Sequence, residues 1–130
     1  MKTTISLFAF AAFALTSGCA SMDQKGEDAA AIALTAEEVV AHVSGKTEQW
    51  SEGAAFYAAD NAMEVLWKGE EASGTWLVKD AGELCFTTVL FDNKEECHSY
   101  QREGDTINLV YNGKTQTLDV KEGNHIDFYR

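Results

Sequence analysis

The stretch "TINLVYNGKTQTLDV", residues 106–120, decides the fold. Asn112-Gly113 lies at its centre, and both residues tolerate the positive φ that a type I′ hairpin turn demands. Such a turn pairs Tyr111 with Lys114, Leu109 with Gln116 and Ile107 with Leu118. Side chains alternate along a strand. Ile107, Leu109, Leu118 and Val120 therefore share one face, and Asn108 and Thr117 the other. One face is dry and one is wet, as in an antiparallel sheet with a single buried side.

Outward from this hairpin the pattern repeats. Short strands are expected over 46–50, 54–58, 63–67, 75–79, 84–89, 96–102, 106–111 and 114–120, with a brief one at 125–129. Turn residues separate them: Asp60-Asn61, Lys68-Gly69, Asp80-Ala81-Gly82, Asp92-Asn93 and Glu103-Gly104. The fold class is mainly β, a small antiparallel meander or barrel of about eight short strands. One helix precedes it. Thr35-Ala36-Glu37-Glu38 is a capping box, flanked by Leu34 and Val39 as a hydrophobic staple. Ala36, Val39, Val40 and Val43 form the apolar stripe, His42 points away into solvent, and Gly45 ends the helix in a left-handed conformation.

The N-terminus reads as an export signal. Met1-Lys2 supplies one charge, and "ISLFAFAAFAL" (5–15) follows without another. At about 1.5 Å per residue this run spans roughly 16 Å, short of a bilayer core of roughly 30 Å. Thr16-Ser17-Gly18 before Cys19 resembles the bacterial lipobox, in which the cysteine is acylated, palmitate included, and becomes the first mature residue. The alternative is a plain secreted protein cut near Ala20. Ala20 after the cysteine favours the outer membrane, by resemblance to enterobacterial lipoproteins. The domain division is then a signal peptide at 1–18, the lipidated Cys19 and a tether at 19–34, and a β-rich domain at 35–130. The alanine-rich end of the tether could also extend the helix backwards. The expected location is the cell envelope, as an outer-membrane lipoprotein facing the periplasm, held to the membrane through the anchor at Cys19.

Setting Cys19 aside leaves Cys85 and Cys97, an even count in an oxidising compartment, and hence a structural disulfide. Pairing the two as cross-strand neighbours centres a turn on Phe91, next to Asp92-Asn93. The bridge then staples a hairpin and contributes about 3 kcal/mol.

The chain carries 21 acidic and 10 basic residues, a net charge of −11. Polyanions are repelled, so nucleic acid is disfavoured and a cationic protein is the easier macromolecular partner. Catalytic signatures are missing. Glu70-Glu71 and Glu95-Glu96 diverge as strand neighbours rather than facing across a cleft, and no G-x-S-x-G motif is found. Glu96 with His98, and His125 with Asp127, share strand faces, yet each pair offers two ligands where zinc wants three or four. These pairs read as solvent-facing polar residues. No enzyme, metal site or cofactor is expected.

Aromatic residues are plentiful, and most are expected to pack the interior. Trp50, Trp67 and Trp76 are the candidates for a pocket that takes a small apolar ligand. "GKT" at 45–47, Trp50, Gly53, Tyr57 with Asp60, "SGTW" at 73–76, "CF" at 85–86 and Cys97 occur in an order that resembles a family of small exported proteins. That family, mostly alphaproteobacterial, is known as a domain of unknown function. The likeness covers residues 34 to 100 and departs at Asn61, where glycine is usual; asparagine also tolerates left-handed φ. It implies an exported β-rich domain and carries over no catalytic residue. A weaker resemblance, through Ser73-Gly74-Thr75-Trp76, is to the membrane-bound inhibitors of C-type lysozyme. Two functions follow: a non-catalytic binding module for a small apolar or envelope-derived ligand, or a structural, protein-interacting lipoprotein. The first predicts an internal cavity, the second a filled interior.

Overall fold

The computed structural model describes residues 30–130. The signal peptide, Cys19 and the tether as far as residue 29 lie outside the described residues. From the N-terminal side the elements are β1 (Ile32–Ala33), α1 (Ala36–Val43), β2 (Lys46–Trp50), β3 (Gly53–Tyr57), β4 (Ala62–Trp67), β5 (Glu70–Val78) and β6 (Leu84–Thr88). A 3-10 turn, Val89–Phe91, leads to β7 (Glu96–Glu103), β8 (Thr106–Tyr111), β9 (Lys114–Thr117) and β10 (Val120–Glu122), and a second 3-10 turn covers Ile126–Tyr129.

Strands β2 to β9 follow one another as an antiparallel meander, and β10 returns to pair with β2. The sheet curls into a half-barrel. Its two edge strands, β9 and β10, are neighbours along the chain, parted by Leu118-Asp119, whose Asp119 carbonyl accepts from the Gln49 amide at 2.8 Å. The strand expected over 114–120 is therefore bent. Its first part pairs with β8 and its last part with β2. The Asn112-Gly113 turn forms as expected, with φ of 49° and 74°, and Tyr111 opposes Lys114 while Leu109 opposes Gln116. The further pair Ile107–Leu118 does not form, because the bend has already carried Leu118 away from β8.

Inside the curl lies one core, with Tyr57, Met63, Val65, Trp76, Leu84 and Tyr100 at its centre. Helix α1 closes one end of it through Leu34, Val39 and Val43. The capping box forms: Glu38 accepts from the Thr35 amide at 2.8 Å, and Thr35 Oγ1 accepts from the Glu38 amide at 3.3 Å. Gly45, at φ 73°, follows the helix as expected. Gly82, at φ 89°, packs so close to the Leu34 carbonyl that a Cβ there would collide with it, which seats the β5–β6 turn against the helix entry.

Further expectations are corrected. Val40 is exposed and His42 half-buried, because the stripe that meets the sheet is Val39, His42 and Val43 at spacings of three and four; His42 packs edge-on against Tyr100, 5.2 Å between centroids. Ile32–Ala33 neither extends the helix nor hangs free, but pairs with Arg102 and Gln101 beyond the point where β6 leaves β7. Residues 125–129 are not a strand: the Asn124 side chain caps Ile126, and the 3-10 repeat puts Ile126 and Tyr129 against Ala54, Leu66 and Phe56 on the outer sheet face. Asn108, assigned to the wet face, is buried and bonded to Thr117 across the β8–β9 ladder.

Candidate functional site

Alternation along β2 puts Glu48 and Trp50 on one face, Glu48 buried and Trp50 on the cavity wall. Glu48 is thereby buried with no cation beside it among the described residues, an arrangement that is costly unless donors surround the carboxylate. Three do. Trp50 Nε1 donates to Oε1 at 2.8 Å, the Tyr57 hydroxyl to Oε1 at 3.3 Å, and the Tyr100 hydroxyl to Oε2 at 2.7 Å. Burial pushes the Glu48 carboxyl up, and the bonds from Trp50, Tyr100 and Tyr57 pull it back down. Burial and the Glu48 carboxylate push the Tyr57 and Tyr100 hydroxyls well up, so both stay protonated.

Tyr100 continues the chain of bonds. His98, two residues back on the same face of β7, places Nε2 2.9 Å from the Tyr100 hydroxyl. Burial pushes His98 down to about 4, which leaves it neutral at physiological pH. A line of polar groups, Glu48–Tyr100–His98, thus crosses the interior between β2 and β7.

Beyond this line the barrel is not filled. The end opposite α1 holds a cavity of about 210 Å³. Trp50, Trp67, Phe86 and Phe91 form a closed circuit on its wall, with successive ring centroids 5.6–6.0 Å apart (Trp50–Trp67 6.0, Trp67–Phe91 5.9, Phe91–Phe86 5.7, Phe86–Trp50 5.6). Leu109 and Leu118 complete the apolar lining, and His98 lies on the wall beside them. Glu96 and Tyr111 border the same space, joined by a bond of 3.1 Å from the Tyr111 hydroxyl. At the seam, where β9 parts from β2, a second depression of about 220 Å³ shares Trp50, Ser51, Gln116 and Leu118 with the first.

The structure brings Trp50 and Trp67 together on this wall. Trp76 stands apart, near the helix end, packed edge-on against Tyr57 at 5.6 Å and donating from Nε1 to the Ala58 carbonyl at 2.9 Å. Cys85 and Cys97 oppose each other in β6 and β7 and form the disulfide, on the outer sheet face. Glu83 and the two cysteine sulfurs cluster, but sulfurs joined to each other offer no thiolate to a metal. Glu96 and His98 do share a face, as expected, yet His98 is buried rather than solvent-facing. His125 and Asp127 lie on the far side of the sheet, where His125 Nε2 meets the Glu122 carbonyl at 2.7 Å. Ser73-Gly74-Thr75-Trp76 lies within β5, paired on both sides, rather than in a loop. Sequence reasoning missed Glu48, although its signal was present: it alternates with Trp50, a residue already named for the pocket.

Residues 9–117 match the model of the family described as "Protein of unknown function (DUF995)", a span that takes in the stretch 34–100. No curated protein and no solved structure matches the chain.

Proposed function

We propose, from a chain that belongs to the DUF995 family of proteins of unknown function, that the half-barrel is a non-catalytic binding module for a small apolar, envelope-derived ligand. The protein is read as an exported lipoprotein, held by acylated Cys19 at the periplasmic side of the outer membrane. One observation carries the ligand reading: the end of the barrel away from α1 is an aromatic-walled cavity of about 210 Å³ rather than packed core. Interiors normally close to crystal-like density, and the aromatic wall left open here is apolar surface that a ligand would remove from water. Sites for drug-sized ligands run to roughly 300–1,000 Å³, so the occupant is compact, one or two rings or a short branched chain. The four aromatic rings supply dispersion and edge contacts, and Ser51, Glu96, His98, Tyr111 and Gln116 are the polar residues on the lining.

Titration with 1-methylnaphthalene, followed by quenching of tryptophan emission, tests this reading. Saturable quenching in the full chain, lost in Trp67→Ala, supports it. Native mass spectrometry of protein extracted from membranes should also show a small-molecule adduct. Absence of both adduct and saturable quenching overturns it. The anchor is tested separately: labelled palmitate should enter the wild-type chain and not Cys19→Ser, and equal labelling of the two would remove the anchor from the account.

A further inference from the structure

The bond line that ends at the cavity wall has a direction, and direction decides what the cavity can recognise. Trp50 Nε1 is a donor only, so the oxygen it reaches, Glu48 Oε1, must accept. Three donors converge on the two Glu48 oxygens, the surroundings of a carboxylate rather than of a carboxylic acid. Tyr100 therefore spends its single hydroxyl proton on Glu48 Oε2 at 2.7 Å. Toward its other neighbour, His98 Nε2 at 2.9 Å, it has only a lone pair left. A neutral imidazole carries one N–H, and this geometry requires it at Nε2. Nδ1 is then a bare acceptor. Among the described residues no hydrogen bond reaches Nδ1, and it is not one of the sealed, unpartnered atoms. His98 lines the cavity, and Nδ1 is the ring nitrogen that its bond to Tyr100 leaves for a ligand there.

We infer that Glu48 is a positioning residue which, through Tyr100, fixes the His98 tautomer, so that His98 presents a hydrogen-bond acceptor beside the aromatic wall of the cavity and selects apolar aromatic ligands bearing a donor, such as an aryl hydroxyl, there. The inference rests on the reading of the cavity as a ligand site and adds the class of ligand. One matched donor is worth about tenfold in affinity over an isostere without it.

The arrangement makes a specific reversal possible. In Glu48→Gln the amide must keep its oxygen on Trp50 Nε1, because that indole can only donate. Its NH2 then falls on the Tyr100 oxygen. Tyr100 turns its proton to His98 Nε2, the imidazole proton moves to Nδ1, and His98 presents a donor to the cavity instead of an acceptor. The volume and apolar wall are unchanged.

Two measurements on the full chain test this. Long-range 15N correlation of the His98 ring, assigned by its loss in His98→Gln, should show the Nε2–H tautomer in the wild type and Nδ1–H in Glu48→Gln. Binding of 1-naphthol, 1-methylnaphthalene and 1-naphthaldehyde should favour naphthol about tenfold in the wild type, shift toward the aldehyde in Glu48→Gln, and lose its preference in Tyr100→Phe. A wild-type Nδ1–H tautomer overturns the inference, and so does equal affinity for naphthol and methylnaphthalene, although equal affinity leaves the cavity a ligand site. If none of the three binds, the ligand reading and the ligand class fall together. The wild-type arms decide the matter even where a variant does not fold.

Discussion

The two ends of this half-barrel are made from the same strands and are finished in opposite ways. At the α1 end, Leu34, Val39 and Val43 close over Tyr57, Trp76, Leu84 and Tyr100, and the one buried indole, Trp76, bonds to the Ala58 carbonyl. At the other end no element among the described residues closes the barrel, and Trp50, Trp67, Phe86 and Phe91 ring a cavity instead. Between them runs Glu48–Tyr100–His98, each member bonded to the next. The contrast teaches that aromatic content alone does not define a core. The same residue types pack a core where a helix covers them and wall a cavity at the other end.

The largest expected effect separates the two ends directly. Trp76→Ala, at a site 4% exposed, should cost about 3–5 kcal/mol in denaturant unfolding and leave affinity for a naphthalene probe in the surviving folded fraction nearly unchanged. Trp67→Ala, half-buried on the cavity wall, should cost only about 1–2 kcal/mol and abolish probe binding. Equal stability losses at the two sites would erase the distinction. Next comes the disulfide. It closes a sequence separation of 12 on the hairpin that carries Phe91, so Cys85→Ala with Cys97→Ala should lose about 3 kcal/mol. Unfolding of oxidised wild type against this double variant measures it.

The boundary between the ends has a pH signature. His98 is held at about 4 in the folded protein, against 6.5 ordinarily. Between those values the unfolded chain binds more protons than the native one, so this residue's share of stability rises with pH from 4 to 6.5 and is level above. The change is on the order of 3 kcal/mol. Glu48 acts with the opposite sign: its carboxyl is raised, so the native state binds more protons above 4.5 and stability falls as pH increases through the raised value. His98→Phe removes the first effect and leaves the second. Its unfolding free energy should therefore gain on wild type as pH drops from 6.5 to 4, and parallel pH profiles for the two proteins would show that His98 titrates as it does when exposed.

How much of this was legible in the sequence varies with the range of the interaction. Asn112-Gly113 fixed a register because both residues accept positive φ locally, and Thr35 with Glu38 marked a helix start because both bonds of the capping box are local. The bend at Leu118-Asp119 and the pairing of Ile32–Ala33 with β7 were not legible, since each depends on a partner strand far along the chain. Within the site, Trp50 and Trp67 end strands that turn at the same end of the barrel, and that much follows from a meander. Trp76 lies six residues along β5 from Glu70, the partner of Trp67, a distance of about 20 Å at 3.3 Å per residue. Counting along the hairpin would have separated it from the other two. Glu48 was harder. Composition sends a glutamate outward, and only the meeting of Trp50, Tyr57 and Tyr100 around it makes the interior tolerable.

The smallest expected stability effect is the sharpest comparison of the two ends. Enlarging a side chain in packed core forces its neighbours off their rotamers, whereas enlarging one beside an empty space uses that space. Val39 is fully buried beneath the helix, and Val39→Phe should lose about 1–3 kcal/mol. Leu118, half-buried at the seam, borders the cavity, and Leu118→Phe should change stability by less than about 1 kcal/mol in either direction. The added ring takes up part of the 210 Å³. Naphthalene-probe affinity should then fall by about tenfold or more, the equivalent of about 1.4 kcal/mol, while the fold stands. Were Leu118→Phe as damaging as Val39→Phe, the end away from α1 would be packed core like the other, with no room for a ligand.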